Sequence, residues 1–463
     1  MSLLVGDVVR HAAAVTPAAL GATLGDDEIT FAALDAASNR VATALAADGV
    51  QSGDRVAWQG ETSLDALALF FGLAKLGAVF MPVSPRFGPD ETAAVLGYAR
   101  PDHVVDDITP LLSAPAIDGH WDRELSEREP HVIFFTSGST GRPKGVVLSH
   151  RVNCLRSFAS LAVETDGGTV CMFPLFHMAG WSLSLGAWQA RRPVHLVRTP
   201  DADTLVGTAV RRRASRLYAI PAVWARILER GLGDDDLSAL READTGTSAT
   251  PPELVAAIRD ALPHTVTRVF YGSTEAGPGT ILGAADVLRK PGSVGLPQAG
   301  VSVRLTDAGE VCLRSELLMD GYFDDRAATA AALDPDGWYH SGDLGALDDE
   351  GYLSIVGRVR DVIRTGGESV APSEVEAVLS GHPAIAEVAV IGIPDAQWGE
   401  IVCAVIVATN PVELADLRAF ADGRLAGFKQ PRRLELVAEL PRTAATGQVQ
   451  RTLLVERLAT QPR

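Results

Sequence analysis

Helical and strand-like segments alternate along most of this 463-residue chain, and this alternation limits the folds open to it. Apolar residues recur three and four positions apart between Phe31 and Asp48, which predicts an amphipathic helix. Further elements are predicted, in chain order, at Arg55–Trp58, Leu64–Leu76, Ala78–Pro82, Val132–Phe135, Val152–Val163, Val194–Val197, Arg216–Ile220, Pro221–Glu229, Pro251–Ala261 and Thr267–Tyr271. Such alternation predicts an α/β protein with largely buried sheets.

A second, smaller unit is expected after about residue 350, where the pattern changes. A segment dense in charge and glycine, Arg358–Gly367, is followed by predicted helices and Val- and Ile-rich strands at Pro372–Ser380, Ile385–Ile393, Ile401–Ala408 and Val412–Leu425. These elements predict a βαββα-type unit of about a hundred residues, which is within the usual size of a domain. We therefore expect a large domain at 1–356, a hinge at 357–361 and a small domain at 362–463, with one amphipathic helix at its end (Gln448–Arg463).

The charge of the chain disfavours one broad class of partner. Asp and Glu number 58 against 41 Lys and Arg, so the formal net charge is −17. An acidic protein repels a nucleic-acid backbone, so nucleic-acid binding is not expected. Any anionic ligand must instead be held by a local set of donors.

The cysteines and the apolar segments favour a cytoplasmic protein without a membrane span. The four cysteines, Cys154, Cys171, Cys312 and Cys403, are too few and too far apart for a disulfide framework, so we expect buried thiols in a reducing compartment. The first ten residues lack the pattern of a signal peptide. The apolar run Ala66–Val83 is interrupted by Lys75, glycine and proline, and therefore predicts a buried helix and strand.

A loop of small, hydroxylated residues carries the clearest functional signal. Phe134–Gly145 reads F-F-T-S-G-S-T-G-R-P-K-G, with strand-like residues on both sides. Glycine lets backbone N–H groups turn toward a ligand, hydroxyl groups add donors, and Lys144 adds a charge suited to a polyphosphate. It is not a Walker A loop, because proline precedes the lysine and a strand follows instead of a helix. The loop predicts a phosphate site of another kind.

The decamer T-S-G-S-T-G-R-P-K-G resembles the signature of the acyl-adenylate-forming superfamily, which includes acyl-CoA synthetases, aryl-CoA ligases, peptide-synthetase adenylation domains and luciferase. Other segments also resemble family motifs, and they occur in the order that the family has. One precedes the decamer, at Ile29–Val56, and four follow it, at Phe173–Gly180 (F-P-L-F-H-M-A-G), Tyr271–Gly277 (Y-G-S-T-E-A-G), Ser341–Gly345 (S-G-D-L-G) and Gly357–Glu376. The resemblance implies a large N-terminal domain of stacked sheets with flanking helices and a small, mobile α+β C-terminal domain. It also implies that a carboxylate attacks the α-phosphate of ATP, and that a thiol, usually that of CoA, then displaces AMP.

The resemblance implies roles in binding ATP and Mg²⁺. Tyr271 would stack on adenine, Thr274 would bind the α-phosphate, and Glu275 would hold Mg²⁺, which prefers carboxylate and phosphate oxygens. Asp343 would accept hydrogen bonds from the ribose, with Arg358 close to the same sugar. The other expected ATP-binding residues are Thr136, Ser137, Gly138, Ser139, Thr140, Gly141, Lys144, Gly246, Thr247, Ser248 and Gly272.

It also implies sites for the acid and for CoA. His177 would act in catalysis at the mouth of an acyl pocket lined by Phe176, Trp181, Gly272 and Pro278. Gly366 and Gly367 would belong to the loop that faces the site during thioester formation, and Arg360 to the hinge. His177, Trp181 and Arg358 are equally suited to packing roles. The run Thr274–Pro278 (T-E-A-G-P) is similar to 4-coumarate ligase types and, with Trp181 as the floor of a short pocket, favours a small or aromatic acid over a long chain. Phe270 stands where malonate-type ligases have arginine, so a dicarboxylate is not expected.

One segment departs from the family pattern. The family has a lysine in a segment P-R-T-x-x-G-K that bridges the substrate carboxylate and the α-phosphate; here Pro441–Gln450 reads P-R-T-A-A-T-G-Q-V-Q, with one extra residue and Gln448 in the lysine position. Glutamine can donate to an oxyanion but cannot neutralise it. Three explanations remain open: an introduced substitution, a substitute cation such as Lys429 or Arg451, or a reaction that tolerates the loss.

Three functions are therefore compared. The first is an ATP-dependent acid–CoA ligase that uses ATP, Mg²⁺ and CoA. The second is an adenylating enzyme with another acceptor, such as a carrier protein, or a ligase-like enzyme that activates nitrite to diazotise an aryl amine. The third is a non-catalytic nucleotide-binding relative. The second and third functions remain open because Gln448 occupies the position of the family's lysine.

Overall fold

The computed structural model describes residues 3–117, 125–137, 143–160, 166–233, 235–366, 368–395, 397–443 and 447–459. The chain forms two compact units. The large unit comprises Met1–Ser302 and Leu313–Tyr339, and the small unit comprises Val303–Cys312 and His340–Arg463. The small unit thus includes residues before the expected boundary. A hinge is defined by motion and not by compactness, so the hinge at 357–361 stays a prediction.

Several helices begin at a side-chain cap. Ser63 Oγ accepts the N–H of Ala66 at 3.1 Å, and the helix that follows ends at Gly77 in the left-handed conformation. The helices are α1 (Val5–Val15), α2 (Phe31–Ala47), α3 (Leu64–Leu76), α4 (Pro89–Ala99), α5 (His150–Ser160), α6 (Met178–Gln189), α7 (Ala202–Arg212), α8 (Pro221–Arg230), α9 (Pro252–Ala261), α10 (Arg326–Ala332), α11 (Pro372–Leu379), α12 (Leu414–Ala421) and α13 (Arg451–Ala459).

The large unit contains two mixed sheets. Their strands are β1 (Leu20–Leu24), β2 (Asp27–Thr30), β3 (Arg55–Gln59), β4 (Val79–Val83), β5 (His103–Val105), β6 (Pro130–Ser137), β7 (Pro143–Ser149), β8 (Thr169–Cys171), β9 (Val194–Leu196), β10 (Arg216–Tyr218), β11 (Glu242–Gly246), β12 (Val269–Ser273), β13 (Gly277–Leu282), β14 (Leu296–Pro297) and β17 (Gly321–Tyr322). The strand orders are β14-β13-β12-β11-β10-β8-β9-β1-β2 and β17-β7-β6-β4-β3-β5. In each sheet the central strands are parallel. Antiparallel strands extend both edges of the nine-stranded sheet and one edge of the six-stranded sheet.

The remaining strands, most of whose residues belong to the small unit, form two further sheets. They are β15 (Ser302–Leu305), β16 (Glu310–Arg314), β18 (Tyr339–Leu347), β19 (Leu353–Arg358), β20 (Ile363–Thr365), β21 (Glu368–Val370), β22 (Ile385–Asp395), β23 (Gly399–Ala408) and β24 (Arg433–Leu436). The first sheet has the order β15-β16-β18-β19; the second has β21-β20-β23-β22, with β24 beside β23. Residues alternate along β23: Val402 and Ala404 pack with α11 and α12, and Cys403 and Val405 pack with α13.

The α/β fold with a large N-terminal and a small C-terminal domain is confirmed. Details of the small unit differ from the prediction. The βαββα pattern omits β24, which pairs in parallel with β23. The helix expected at Val412–Leu425 is shorter, because Glu413 caps α12 and the chain leaves the helix at Asp422. The final helix begins at Arg451, so Gln448 lies before it.

The apolar run Ala66–Val83 has the expected structure. Its residues are buried on all sides of α3 and then along β4. Across the described residues, no helix is both long enough and apolar enough to span a bilayer. Cys154, Cys171, Cys312 and Cys403 are free thiols and all are buried, as expected.

Two stacked histidines are buried in the large unit. The rings of His131 and His150 lie 4.7 Å apart, and neither ring nitrogen of His131 has a hydrogen-bond partner among the described residues. Burial lowers the pKa of His150 to about 4; burial and the nearby His150 also lower the pKa of His131 well below its usual value. Both rings are therefore neutral in the fold at neutral pH.

We expect stability to fall as the pH drops below about 6.5. In that range the unfolded chain protonates these histidines and the folded chain does not, so each removes about 1.4 kcal/mol of unfolding free energy per pH unit. His131→Phe should reduce the pH slope by that amount. Urea unfolding between about pH 7 and about pH 5 measures both slopes. Equal slopes for the variant and the parent would contradict this assignment.

Candidate active site

The strands on either side of the glycine-rich loop form a hairpin. β6 and β7 are antiparallel, with Thr136 opposite Lys144 and Ser137 opposite Pro143. Lys144 Nζ lies 4.6 Å from the ring centre of Tyr322 on β17, the neighbour of β7. The hairpin therefore places the ammonium group of Lys144, the predicted phosphate-binding lysine, over the ring of Tyr322, a residue outside the recognised motifs. The remaining predicted phosphate-loop residues, Gly138, Ser139, Thr140 and Gly141, lie outside the described residues.

Thr274 and Glu275 form the tip of a second hairpin. β12 and β13 pair with Ser273 opposite Gly277, and the residues between them form the turn. Ser273 Oγ accepts the N–H of Ala276 at 3.0 Å, and the Glu275 carbonyl accepts the N–H of Met319 at 2.7 Å. These bonds fix the backbone of the turn, so the two side chains leave it in defined directions.

A tyrosine links the two hairpins. The Tyr322 hydroxyl donates to Glu275 Oε1 at 3.2 Å, while its ring contacts Lys144. Burial, followed by the charge of Glu275, raises the pKa of Tyr322, and the same two causes raise that of Tyr339. Both phenols are therefore protonated at neutral pH and can donate. Lys144, Tyr322 and Glu275 form one contiguous row.

A buried arginine supports the Thr274–Glu275 turn from α5. Arg156 is 2% exposed and donates to three backbone carbonyls: from Nη1 to Thr274 at 3.0 Å, from Nη2 to Glu275 at 3.1 Å and from Nε to Leu317 at 2.8 Å. Burial lowers the pKa of Arg156 to about 10, and nearby carboxylates oppose that shift. The guanidinium is charged at neutral pH. Sequence reasoning missed it, because arginine in a helix is usually exposed.

The segment predicted to flank adenine follows β11. Gly246 pairs with Phe270 of the parallel strand β12, which brings Gly246–Ser248 beside the strand that carries Tyr271. Thr247 has a φ of +69°, a left-handed conformation that non-glycine residues rarely adopt. Its hydroxyl lies 3.5 Å from that of Tyr218. Backbone strain of this kind occurs at ligand sites, which supports the predicted role of the segment.

Gly246→Ala is expected to disrupt this segment. Gly246 has a φ of +147°, and a Cβ there would lie 2.2 Å from the Phe270 carbonyl oxygen. We expect a loss of roughly 2–4 kcal/mol in unfolding free energy, and weaker ATP binding in any folded fraction. Chemical denaturation and calorimetry measure the two effects. Gly283→Ala is the matched control, because no heavy atom lies within 4 Å of its new Cβ. Equal stability of the two variants would refute the steric argument.

Four aromatic rings lie where the acyl pocket is predicted; Phe173 and Tyr218 are buried, and His177 and Phe270 are half-buried. His177 caps α6, where its Nδ1 accepts the N–H of Ala179 at 3.2 Å, and its ring stacks on Phe173. Burial lowers the pKa of His177 to about 4, so the ring is neutral at neutral pH. Tyr218 lies 5.6 Å from Phe173 and 5.8 Å from Phe270 between ring centres. The four rings form one aromatic row.

Trp181 is a core residue and not the floor of a pocket. It is 1% exposed, stacks on Phe70 with ring centres 3.8 Å apart, and donates from Nε1 to the Leu175 carbonyl at 2.6 Å. With 1% of its surface exposed, the ring does not line a space that a ligand can enter. The other predicted pocket residues remain half-buried: Phe176, Gly272 and Pro278, of which the last two pair across the β12–β13 hairpin.

In the small unit the two predicted ribose residues form an ion pair. Asp343 on β18 is opposite Arg358 on β19, and Arg358 Nε lies 2.7 Å from Asp343 Oδ1. The strand around Asp343 is held by Glu310, whose Oε1 accepts the N–H of Gly342 at 3.0 Å and whose Oε2 lies 3.0 Å from His340 Nδ1. These contacts of Glu310 fix the part of β18 that carries Asp343.

The predicted hinge and thiolation residues lie close together in sequence but belong to different secondary-structure elements. Arg360 is in a 3-10 helix at Val359–Asp361 and is exposed. Gly366 follows β20 in the β20–β21 hairpin, and its N–H donates to the carbonyl of Trp398 at 2.8 Å. Gly367 lies outside the described residues.

Gln448 is exposed and hydrogen-bonded to Thr443. Its carbonyl accepts the N–H of Thr443 at 2.8 Å, and its N–H donates to Thr443 Oγ1 at 3.1 Å. Both candidate substitute cations are held by carboxylates of the small unit. Lys429 pairs with Glu374, and Arg451 Nη2 lies 2.7 and 2.9 Å from the two carboxylate oxygens of Glu376.

Comparison with known proteins identifies the family. The model of the AMP-binding enzyme family matches residues 9–323, and that of the AMP-binding enzyme C-terminal domain matches residues 374–446. The chain belongs to the AMP-binding enzyme family. This confirms the resemblance to acyl-adenylate-forming enzymes that the motifs indicated.

Relatives of this AMP-binding enzyme include named ligases. The chain is 34% identical to the long-chain-fatty-acid–CoA ligase FadD13 of Mycobacterium tuberculosis, with 98% of each chain covered. It is 32% identical to a feruloyl-CoA synthase from Amycolatopsis, over 94% of this chain and 95% of that one. The solved structure of o-succinylbenzoate coenzyme A synthetase from Bacillus subtilis, in complex with ATP and magnesium ion, has a TM-score of 0.88 at 25% identity, and 96% and 98% of the chains are covered.

Proposed function

We propose that this AMP-binding enzyme is an ATP-dependent acid–CoA ligase. It would adenylate a carboxylic acid with release of pyrophosphate, and then transfer the acyl group to the CoA thiol with release of AMP. The observation that carries the proposal is the row of Lys144, Tyr322 and Glu275, with Thr274 on the same turn as Glu275. The names of the relatives, a CoA ligase and a CoA synthase, support it.

The residues of the row suit a metal-bound triphosphate. The Glu275 carboxylate offers the oxygen ligands that a hard cation such as Mg²⁺ prefers, and the Tyr322 hydroxyl holds one of them. Mg²⁺ would supply charge neutralisation of the phosphates. Lys144 would bind phosphate oxygens, Thr274 would hold the α-phosphate, and Tyr322 would keep the Glu275 carboxylate oriented. The reaction needs alignment and neutralised charge more than covalent catalysis by the protein.

A small or aromatic monocarboxylic acid is the substrate class that we propose. The row from His177 to Phe270 is aromatic, and its histidine is neutral. Two arginines lie near Phe270, but both pair with Asp244: Arg216 Nε and Arg268 Nη2 are each 2.8 Å from Asp244 Oδ2. A second carboxylate on the substrate would therefore have to compete with a buried ion pair.

We propose that adenylation proceeds with Gln448 in the lysine position, at a lower rate. The ion pairs of Lys429 and Arg451 argue against either of them as a ready substitute. Nothing among the relatives supports activation of nitrite, and we therefore do not propose it.

The proposal is tested by identifying the product. The purified protein is incubated with Mg·ATP, CoA and a panel of aromatic, short-chain and long-chain acids, and the thioesters are measured by mass spectrometry. We expect a CoA thioester of at least one aromatic or short-chain acid, and AMP formed in an equal amount. A parallel reaction contains nitrite and an aryl amine in place of the acid and CoA. Diazotised amine without any thioester would overturn the proposal.

A further inference from the structure

We propose that Arg156 is a positioning residue for adenylation. Its guanidinium would orient the Thr274–Glu275 peptide so that the Glu275 N–H faces the α-phosphate of ATP and the Glu275 carboxylate faces Mg²⁺. The inference rests on the proposed function. It assigns a role to a residue that lies outside every motif recognised in the sequence.

The direction of the peptide follows from its hydrogen bonds. Arg156 Nη1 donates to the Thr274 carbonyl at 3.0 Å. In a planar trans peptide the N–H points away from the C=O of the same unit, so the Glu275 N–H points away from Arg156. The next peptide is held in the same manner, because the Glu275 carbonyl accepts from Arg156 Nη2 and its partner N–H, that of Ala276, donates to Ser273 Oγ. The Glu275 N–H is thus aimed out of the turn.

The charge of Arg156 strengthens this arrangement. The guanidinium is buried and charged, and hydrogen bonds from a charged donor are roughly twice as strong as neutral ones. A cation on the carbonyl side of a peptide polarises it, which makes the N–H on the other side a better donor to an anion. The turn would therefore present a polarised donor to phosphate although the charge itself stays buried.

The fork shape of arginine is needed for this role. Three donors of one planar group reach the carbonyls of Thr274, Glu275 and Leu317. The ammonium group of lysine is a compact point charge and cannot reproduce this spacing. The packing is also tight, because a Cβ at Gly277 would lie 2.6 Å from Arg156 Nε. Arg156→Lys therefore keeps the charge and removes the geometry.

The first test measures Mg·ATP binding. We expect folded Arg156→Lys to bind Mg·ATP about 10–100-fold more weakly than the parent, which is the usual effect of removing a partner behind a metal ligand. Arg55→Lys is the matched control, since Arg55 pairs with Asp102 in the same unit and has no contact with the turn. A purely structural role would lower the unfolding free energy but leave the Kd of the folded protein unchanged, and that result would overturn the proposal.

The second test needs no variant, so it can still overturn the proposal if Arg156→Lys fails to fold. Hydrogen exchange of the Glu275 amide is compared in the parent with and without Mg·ATP. We expect exchange at least about tenfold slower with nucleotide, because the N–H then donates to phosphate. Unchanged exchange, while calorimetry shows bound ATP, would overturn the role of Arg156. Absence of ATP binding would instead overturn the proposed function.

Discussion

Glu275→Gln is expected to lower the rate of ATP-dependent acid activation by about 10²–10³-fold. The amide has nearly the same shape and can still accept from Tyr322, but it carries no charge for Mg²⁺, which strongly prefers carboxylate oxygens. Stability should change little, because the side chain is half-buried at the tip of a hairpin. The kcat/KM for ATP, measured at several Mg²⁺ concentrations, gives the effect.

Glu316→Gln is the matched control for this change. Glu316 is 78% exposed in the same unit, and its carboxylate lies 3.7 Å from Arg151, so the substitution removes a charge without touching the turn. We expect the control to retain the parent rate. A Glu275→Gln protein with the parent rate and the parent Mg²⁺ dependence would refute Glu275 as the metal ligand.

Gln448→Lys is expected to raise the adenylation rate, by up to about 10²–10³-fold if the ammonium reaches the substrate. The attacking carboxylate and the α-phosphate repel each other, and a cation between them helps most where they are closest, in the transition state. The hydrogen bonds of Gln448 with Thr443 are made by the Gln448 backbone, so the new side chain can keep them. The rate of pyrophosphate release at saturating acid measures the gain.

Gln450→Lys is the control for a general effect of added charge. It places the same group two residues further along, where the backbone N–H donates to the Pro441 carbonyl. We expect its rate to match the parent. A clear fall in the natural reaction of Gln448→Lys would show that glutamine suits the reaction, and would contradict the view that it is an impaired lysine position.

The sequence predicted best those features that depend on short-range order. The glycine-rich loop lies between strand-like residues, and those strands pair as a hairpin. Asp343 and Arg358 were assigned to the same sugar by resemblance, and the β18–β19 register explains how two residues so far apart in sequence can meet. For the hairpin, the pattern that predicts the strands also determines which residues face each other. For Asp343 and Arg358 the sequence pattern predicted no strand at β18, so only the structure shows that they face each other.

The contributions of Tyr322, Arg156 and Trp181 could not be deduced in this way. Tyr322 and Arg156 reach the Thr274–Glu275 turn from β17 and α5, so their roles depend on long-range packing that no local spacing encodes. Trp181 directly follows a segment that resembles a pocket motif, yet its ring packs into the core on Phe70. A motif identifies a segment, but burial decides which of its side chains can meet a ligand.

The most direct test of acid adenylation is the exchange of labelled pyrophosphate into ATP. The protein is incubated with Mg·ATP, labelled pyrophosphate and each acid of the panel, without CoA, and Lys144→Ala serves as the impaired variant because Lys144 is expected to bind the phosphates. We predict exchange that requires both Mg²⁺ and an acid, does not require CoA, and is strongly reduced in the variant. A parent protein that binds ATP in calorimetry but shows no acid-dependent exchange with any acid class would contradict the account.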